Sequence, residues 1–352
     1  MPTLRSRLNY EPRELGFGTS GRRGQVQDLT QLEIYINVTG ELKYLQALAR
    51  ADGGVSAGEE FYVALDLRPS SPTICQAVVR AVADRGMRPV SLGFIPTPAL
   101  ASYAFARERG SIMVTGSHIP FDRNGYKLNT SRGELMKSHE GPISEAVRAV
   151  RECVYAQPFA ESAFDEQGMF KNAPRDLPAE DDAAQRAYLE RYQAFFGDSD
   201  LGRKKILVYQ HSAVGRDLLV EILRRLGAHA IPAGRSEGFV PIDTENIDAA
   251  QLARIQSLAD EAGGVDAIVS TDGDSDRPLV LGLDPASGKV RFFGGDLLGM
   301  IVAEYLGADS VVVPISTNDA IDRGPLARVL EPKTRIGSPY VIAGMERARA
   351  KG

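Results

Sequence analysis

From about residue 61 the sequence alternates short apolar runs with amphipathic segments, and this alternation restricts the chain to a few fold classes. Residues 61–66, 88–93 and 111–115 are apolar runs bounded by turn-forming residues, so they are predicted to be strands. A hydroxyl residue followed by proline, at Ser71 and at Thr97, is predicted to cap and open each of the two intervening helices. The order strand, helix, strand, helix, strand is typical of an α/β fold with a mostly parallel sheet.

The same kind of order returns along the rest of the chain. A second series and the start of a third are predicted to contain a strand, two helices, a strand, a helix and a strand, at residues 205–210, 214–226, 248–262, 265–270, 294–308 and 310–315. Residues from about 153 to 180 contain several prolines and no clear period, which indicates an irregular connector. These patterns predict domains at residues 1–152, 186–289 and 290–352, with a connector at residues 153–185.

Composition and charge argue against several functional classes. The formal net charge is −5 and no run of lysine or arginine is present, so we expect no nucleic-acid partner. The first 16 residues lack the apolar core of a signal peptide, and no stretch is apolar for long enough to span a bilayer. Cys75 and Cys153 are far apart in sequence, which favours a reducing setting over a disulfide framework. We therefore expect a soluble, cytoplasmic protein that has no membrane partner.

The segment VTGSHIPFDRNGYK, residues 114–127, is the first candidate site. It follows a predicted strand, at the edge of the sheet where open α/β folds bind their ligands. Gly116 relaxes the backbone before Ser117, and the Asn124–Gly125 turn returns the chain so that Lys127 approaches the serine. A serine beside a lysine and a histidine could accept a phosphoryl group, whereas the alternative is a polar loop with a capping serine. A serine hydrolase is disfavoured because positions 115 and 119 are not glycine.

The segment STDGDSDRP, residues 270–278, is the second candidate site. Asp272, Asp274 and Asp276 alternate, so in an extended loop their carboxylates share one side. Carboxylates held together repel one another unless a cation joins them, and an all-oxygen ligand set favours Mg²⁺ over zinc. An EF-hand loop is excluded because Arg277 and Leu283 occupy positions that need glycine and glutamate. A solvated acidic turn remains the alternative.

The segment GFGTSGRRG, residues 16–24, is the third candidate site. Its glycines, its Thr19–Ser20 pair and its two arginines are typical of a loop that binds an anion through backbone N–H groups and guanidinium groups. A flexible basic loop is the alternative interpretation.

Four motifs together resemble one family. FGTSGRRG, DLRPSS, VTGSHIPFDRNGYK and DGDSDR occur in the order and at the spacing of the α-D-phosphohexomutases, and within that family the chain looks most like the bacterial phosphomannomutases. The resemblance implies an α/β fold of tandem mixed-sheet domains, of which this chain would contain an incomplete third and lack the fourth. Gly116 and Ile119 depart from the alanine and asparagine of the family pattern.

The resemblance also implies roles for individual residues. It makes Ser117 the phosphoserine and implies four ligands for Mg²⁺, which are an oxygen on Ser117 and the carboxylates of Asp272, Asp274 and Asp276. It implies that acid–base and charge-stabilising work is shared by Arg23, Lys127 and His118. It places the substrate against six further residues, namely Thr19, Ser20, Arg277, Arg335, Gly337 and Ser338.

The implied reaction interconverts a hexose 6-phosphate and a hexose 1-phosphate through phosphoserine and a hexose 1,6-bisphosphate, which also acts as activator. Mannose phosphate is the favoured substrate, and glucose or glucosamine phosphate is the alternative. A phosphatase and a binding module without turnover are the rival functional classes. The expected partners are small-molecule hexose phosphates, and the expected state is a monomer or a homodimer.

Overall fold

In the computed structural model, the described residues (1–18, 21–172, 177–197 and 200–351) form two five-stranded mixed sheets flanked by helices. The first sheet contains β1 (Arg22–Gln25), β2 (Glu60–Leu65), β3 (Arg88–Phe94), β4 (Ser111–Val114) and β5 (Arg123–Asn129). Its strand order is β1-β5-β4-β2-β3, in which β4, β2 and β3 are parallel while β5 and β1 run antiparallel to their neighbours. The predicted parallel core is confirmed, and the antiparallel β5 returns the chain beside β4.

Helices cover both faces of the first sheet, and we call this part of the chain the first domain. Its helices are α1 (Leu4–Arg7), α2 (Gln31–Ala47), α3 (Ser71–Asp84), α4 (Thr97–Ala106) and α5 (Glu140–Ala156). On β2, Val63 and Leu65 pack into the core beneath α2 and α3, whereas Tyr62 and Ala64 face the opposite cluster with α4. This double burial explains why β2 reads as a continuous apolar run.

The second sheet repeats the arrangement of the first, and we call this part of the chain the second domain. Its helices and strands are α6 (Ala183–Phe196), β6 (Lys205–His211), α7 (Arg216–Arg225), β7 (His229–Arg235), α8 (Ala249–Glu261), β8 (Ala267–Thr271), β9 (Pro278–Leu283) and β10 (Val290–Phe293). The strand order is β10-β9-β8-β6-β7, in which β8, β6 and β7 are parallel while β9 and β10 run antiparallel to their neighbours. The outermost antiparallel strand of the first domain, β1, comes before the parallel strands in the sequence, whereas that of the second domain, β10, comes after them.

The described helices and strands do not follow the sequence-based boundaries at every point. Helix α5 continues to Ala156, so the first residues of the predicted connector are helical. Strand β10 pairs with β9, so the second sheet extends past residue 289 into the range assigned to the third domain.

The rest of the described chain adds α9 (Gly295–Tyr305), α10 (Ala320–Arg323) and α11 (Ser338–Arg349). Helix α9 was predicted, but the strand predicted at residues 310–315 is wrong: only single bridges form there, from Val311 to Leu330 and from Pro314 to Thr334. Pro314 has no N–H to donate, which interrupts a regular ladder. Within the described ranges, no helix combines the length and the apolar character needed to cross a lipid bilayer.

The two domains pack together through one apolar cluster. Helix α4 of the first domain contacts α6, which in turn contacts α7, and Leu100, Tyr188, Leu218 and Ile222 belong to the same buried cluster. This packing brings the end of β4 close to the end of β8. The two predicted sites, which are more than 150 residues apart in sequence, therefore meet.

Candidate active site between the two domains

Ser117 lies three residues beyond the end of β4 and points at the second domain. Its backbone is in the left-handed region, with φ at 53°, and its N–H donates to Thr115 Oγ1 at 2.7 Å. The Ser117 hydroxyl donates to Asp272 Oδ2 at 2.7 Å. A left-handed residue other than glycine is uncommon and costs about 1–3 kcal/mol, so the surrounding contacts hold this backbone in place.

The three aspartates of the second motif form one cluster after β8. Their nearest carboxylate oxygens all lie within 4.8 Å of one another. Asp272 and Asp274 are buried, whereas Asp276 is partly exposed. Burial, together with repulsion from Asp274 and Asp276, raises the pKa of Asp272 to about 8. The carboxylates are therefore close together, as predicted, but in a turn and not in the extended loop that the alternation indicated: Ser275 is left-handed at φ 58°, and its N–H donates to the Asp272 carbonyl.

Lys127 offsets part of the negative charge of this cluster. Its Nζ lies 3.1 Å from Asp274 Oδ2 and 2.7 Å from Asp276 Oδ2. Burial raises the pKa of Asp274, but Lys127 and the hydroxyl of Thr97, at 2.7 Å, outweigh burial and lower it to about 2. Asp274 is therefore ionised at neutral pH, and Lys127 is its counter-charge.

The donor set fits a hard divalent cation. Asp274 Oδ1 is buried and finds no hydrogen-bond partner among the described residues, although it belongs to an ionised carboxylate. A buried carboxylate oxygen without a partner is costly, and a cation held by the three aspartates would satisfy it. The oxygen-only ligands match Mg²⁺ better than zinc.

Replacing Asp276 tests this assignment with little risk to folding, because its side chain is only partly buried. We expect Asp276→Asn to weaken Mn²⁺ binding, a spectroscopic substitute for Mg²⁺, by about tenfold or more, because a charged ligand is lost. Titration calorimetry or electron paramagnetic resonance measures the affinity. Glu245→Gln is the matched control, because Glu245 lines the same cleft outside the cluster. Equal affinities in wild type and Asp276→Asn would contradict a metal site at these aspartates.

Three further residues predicted for the site, His118, Arg23 and Arg277, lie around the same cleft as Lys127 and Asp276. His118 Nδ1 lies 3.4 Å from Ser117 Oγ, and burial followed by the charges of Arg277 and Arg23 lowers the pKa of His118. Arg23 is half-buried on β1, and burial lowers its pKa against the opposing field of Asp274. Arg277 Nη1 donates to Glu245 Oε1 at 2.7 Å.

These residues line a cleft of about 700 Å³ between the domains. Its walls include Arg23, His118, Lys127 and Arg277, and residues from the start of α11 close another side. Ser117 itself is only 1% exposed and is not among the lining residues; its hydroxyl contacts Asp272 and His118, and His118 lines the cleft.

The substrate residues that the resemblance implied in the predicted third domain fall into two groups. Gly337 and Ser338 line the cleft, and Ser338 Oγ donates to Glu134 Oε2 at 3.1 Å. Arg335 is exposed and is not among the lining residues; its guanidinium carbon lies 5.9 Å from the centre of the Tyr340 ring. The predicted substrate residues Thr19 and Ser20 lie outside the described residues.

Sequence reasoning missed several residues that shape the site. Ser71 and Thr97 were predicted to cap helices through their hydroxyls, but the N-cap positions are occupied by the preceding residues, Ser70 and Pro96. Instead Ser71 Oγ donates to Asp66 Oδ1 at 2.6 Å, and Thr97 Oγ1 donates to Asp274. Each of these residues is the first residue of its helix, and its hydroxyl donates to a carboxylate, which is a charged and therefore strong acceptor. The motif DLRPSS was the signal that could have identified Asp66 and the buried Arg68.

Comparison with known proteins agrees with this geometry. Two family models match the chain: phosphoglucomutase/phosphomannomutase, alpha/beta/alpha domain I, over residues 14–152, and domain II of the same family over residues 186–284. Phosphomannomutases of Sinorhizobium fredii and Salmonella muenchen are 40% and 37% identical, each over 96% of this chain. The chain spans 66% and 63% of the length of these two curated relatives.

A solved structure shows the same fold. A phosphoglucomutase/phosphomannomutase family protein from Burkholderia thailandensis superposes with a TM-score of 0.65 over 94% of this chain and 69% of its own, at 20% identity. Sequence, fold and site geometry lead to one assignment. The chain belongs to the phosphoglucomutase/phosphomannomutase family, the α-D-phosphohexomutases.

Proposed function

We propose that the protein is an isomerase, a phosphohexomutase that interconverts a hexose 6-phosphate and a hexose 1-phosphate. The observation that carries the proposal is the 2.7 Å contact between Ser117 Oγ and Asp272, beside two further carboxylates and Lys127. A serine in this position is poised to carry a phosphoryl group over a cation site. Mannose phosphate is the proposed sugar because two relatives that match 96% of the chain are phosphomannomutases.

The proposed reaction has two balanced halves. First, the P–Oγ bond of phosphorylated Ser117 breaks while a substrate hydroxyl oxygen bonds to phosphorus, giving a hexose 1,6-bisphosphate. The hydroxyl proton passes to a base in the cleft, and Ser117 Oγ takes up a proton. After the bisphosphate has reversed its orientation in the cleft, Ser117 Oγ loses its proton to a base in the cleft and bonds to the phosphorus of the other phosphate. The bond between that phosphorus and the sugar oxygen breaks, the sugar oxygen takes up a proton, and the isomer leaves.

The cationic side chains of the cleft supply binding and charge stabilisation. Burial opposes the charge of Lys127, but Asp274 and Asp276 raise its pKa, so it acts as a fixed positive charge. Arg23 and Arg277 line the cleft with guanidinium groups that match phosphate geometry. His118, 3.4 Å from Ser117 Oγ, is placed to share the proton transfer.

Mg²⁺, held by Asp272, Asp274 and Asp276, would offset negative charge on the transferring phosphoryl group. The volume of the cleft lies within the range of about 300–1,000 Å³ that is typical of small-ligand sites. A hexose 1,6-bisphosphate is the proposed activator, because it can phosphorylate a free Ser117. Hexose phosphates are the proposed partners of a monomer or homodimer. Both cysteines are free, which supports a cytoplasmic location.

A panel of sugar phosphates tests the proposal. Mannose 1-phosphate, glucose 1-phosphate and glucosamine 1-phosphate are each incubated with the protein, Mg²⁺ and a trace of the corresponding bisphosphate, and products are followed by ³¹P nuclear magnetic resonance. We expect the 6-phosphates to form, fastest from mannose 1-phosphate. Faster turnover of glucose or glucosamine phosphate would change the sugar assignment. Release of inorganic phosphate in place of an isomer would indicate a phosphatase.

A further inference from the structure

The side chain of Arg68 is surrounded by carbonyl groups of the Ser117 loop. Arg68 follows β2 and its side chain is fully buried. Its Nη1 donates to the carbonyls of Pro120 and Arg123, each at 2.8 Å. Its Nη2 donates to the carbonyls of Ser117, at 2.9 Å, and Ile119, at 2.5 Å. One guanidinium group thus donates hydrogen bonds to four carbonyls within residues 117–123.

The same loop is held from its other end by Asp66. Arg68 Nε lies 3.4 Å from Asp66 Oδ2. That carboxylate oxygen also accepts hydrogen bonds from Thr115 Oγ1 at 2.8 Å and from the Gly116 N–H at 3.3 Å. Asp66 and Arg68 therefore bind the residues on both sides of Ser117, before and after the left-handed backbone position.

Packing fixes the plane of the guanidinium group. A Cβ atom on Gly116 would lie 2.6 Å from Arg68 Cζ and Nε, so the glycine at this position admits the arginine at close range. Phe239 of the second domain packs on the same group, with 4.2 Å between Arg68 Cζ and the ring centre. Arg68 is thus held between the serine loop and the second domain.

From this arrangement we infer that Arg68 is a positioning residue that holds Ser117 in the conformation that receives the phosphoryl group. The inference rests on the proposed function and deepens it. The Arg68 side chain is fully buried and its terminal nitrogens donate to loop carbonyls, so it acts through Ser117 and not on the substrate. A left-handed Ser117 needs such support, and the hydrogen bond to its carbonyl fixes the direction in which Oγ leaves the backbone.

Lysine does not replace arginine in this role. The four carbonyls are bound by donors that the planar guanidinium fixes in one fork, whereas an ammonium group offers three donors at a single point. Arg68→Lys therefore keeps the positive charge but loses the geometry, and Arg68→Met loses both. The pair of variants separates positioning from an electrostatic effect on the aspartates.

The test measures transfer of phosphate from glucose 1,6-bisphosphate to Ser117 in rapid-quench experiments with Mg²⁺. We expect both Arg68→Lys and Arg68→Met to slow transfer by about 100-fold, because a displacement of about 1 Å at a reacting group has that effect. The bisphosphate concentration for half-maximal rate and the Mn²⁺ affinity should change by less than about threefold, since their groups lie elsewhere. Arg151→Lys is the matched control, a buried arginine paired with Glu33 and outside the cleft.

Each outcome decides the inference. A normal rate in Arg68→Lys with a slow rate in Arg68→Met would assign a charge effect and overturn positioning, and normal rates in both would overturn any role. If the Arg68 variants do not fold, Phe239→Leu removes the packing from the second domain; we expect transfer to slow severalfold, and an unchanged rate would overturn the inference. Failure of the wild-type protein to accept phosphate would instead overturn the proposed function.

Discussion

The Ser117→Ala variant is expected to lose phosphoryl transfer by at least about 10⁴-fold, because the proposed function makes the Ser117 hydroxyl the nucleophile of a covalent step. Ser117 Oγ lies 2.7 Å from Asp272 and 3.4 Å from His118. Among the described residues, the only other hydroxyl that donates to one of the three aspartates is that of Thr97. Thr97 binds Asp274 from the start of α4. The measurement is the rate of bisphosphate-dependent labelling and of isomer formation.

Two controls make the Ser117 result specific. Ser131→Ala removes another buried serine, one that donates to the Gly54 carbonyl outside the cleft, and it should leave the rate unchanged. Ser117→Ala should keep its Mn²⁺ affinity within a few fold, because the three carboxylates remain. Labelling of Ser117→Ala at the wild-type rate would show that another residue carries the phosphate.

The Lys127→Met variant is expected to lose about 3–5 kcal/mol of unfolding free energy without metal, because it leaves the buried, ionised Asp274 without its counter-charge. Added Mg²⁺ should restore part of that loss, since a cation at the same carboxylates replaces the missing positive charge. Mg²⁺ should therefore stabilise Lys127→Met more than wild type. Denaturant titration followed by circular dichroism, with and without MgCl₂, measures both effects.

Lys333→Met is the control for the Lys127 experiment. Lys333 Nζ lies 2.7 Å from Asp322 Oδ2, but this ion pair is exposed to solvent, so the change should lower stability far less than Lys127→Met and show no response to Mg²⁺. A Lys127→Met protein as stable as wild type would contradict the assigned role of Lys127 as the counter-charge of the cluster.

Elements buried on both faces could be predicted from the sequence, and elements that carry polar motifs could not. Five of the six residues of β2 and all four of β4 are buried, and both strands read as apolar runs. Strand β1 has the sequence RRGQ and β5 has the sequence RNGYKLN, so their polar residues concealed two strands. This polarity goes with a position beside the cleft and not in the core, because Arg23 and Lys127 line the cleft from these strands.

The site could be predicted as far as its motifs reach. Spacing placed Asp272, Asp274 and Asp276 together, and strand ends placed Ser117 near them. Local patterns failed where the partner is remote in sequence: Thr97 resembles a helix cap, yet its hydroxyl binds Asp274, 177 residues away. Arg68 was overlooked for the same reason, since its four carbonyl partners lie about 50 residues further along the chain.

Mass spectrometry of phosphopeptides gives the most direct test of Ser117 as the phosphate carrier. The wild-type protein is incubated with Mg²⁺ and glucose 1,6-bisphosphate, digested, and searched for every phosphorylated residue. The proposed function predicts a single phosphate on the peptide that contains Ser117, with release of a hexose monophosphate in equal amount. A phosphate on a different residue, or consumption of the bisphosphate without any phosphorylated peptide, would contradict it.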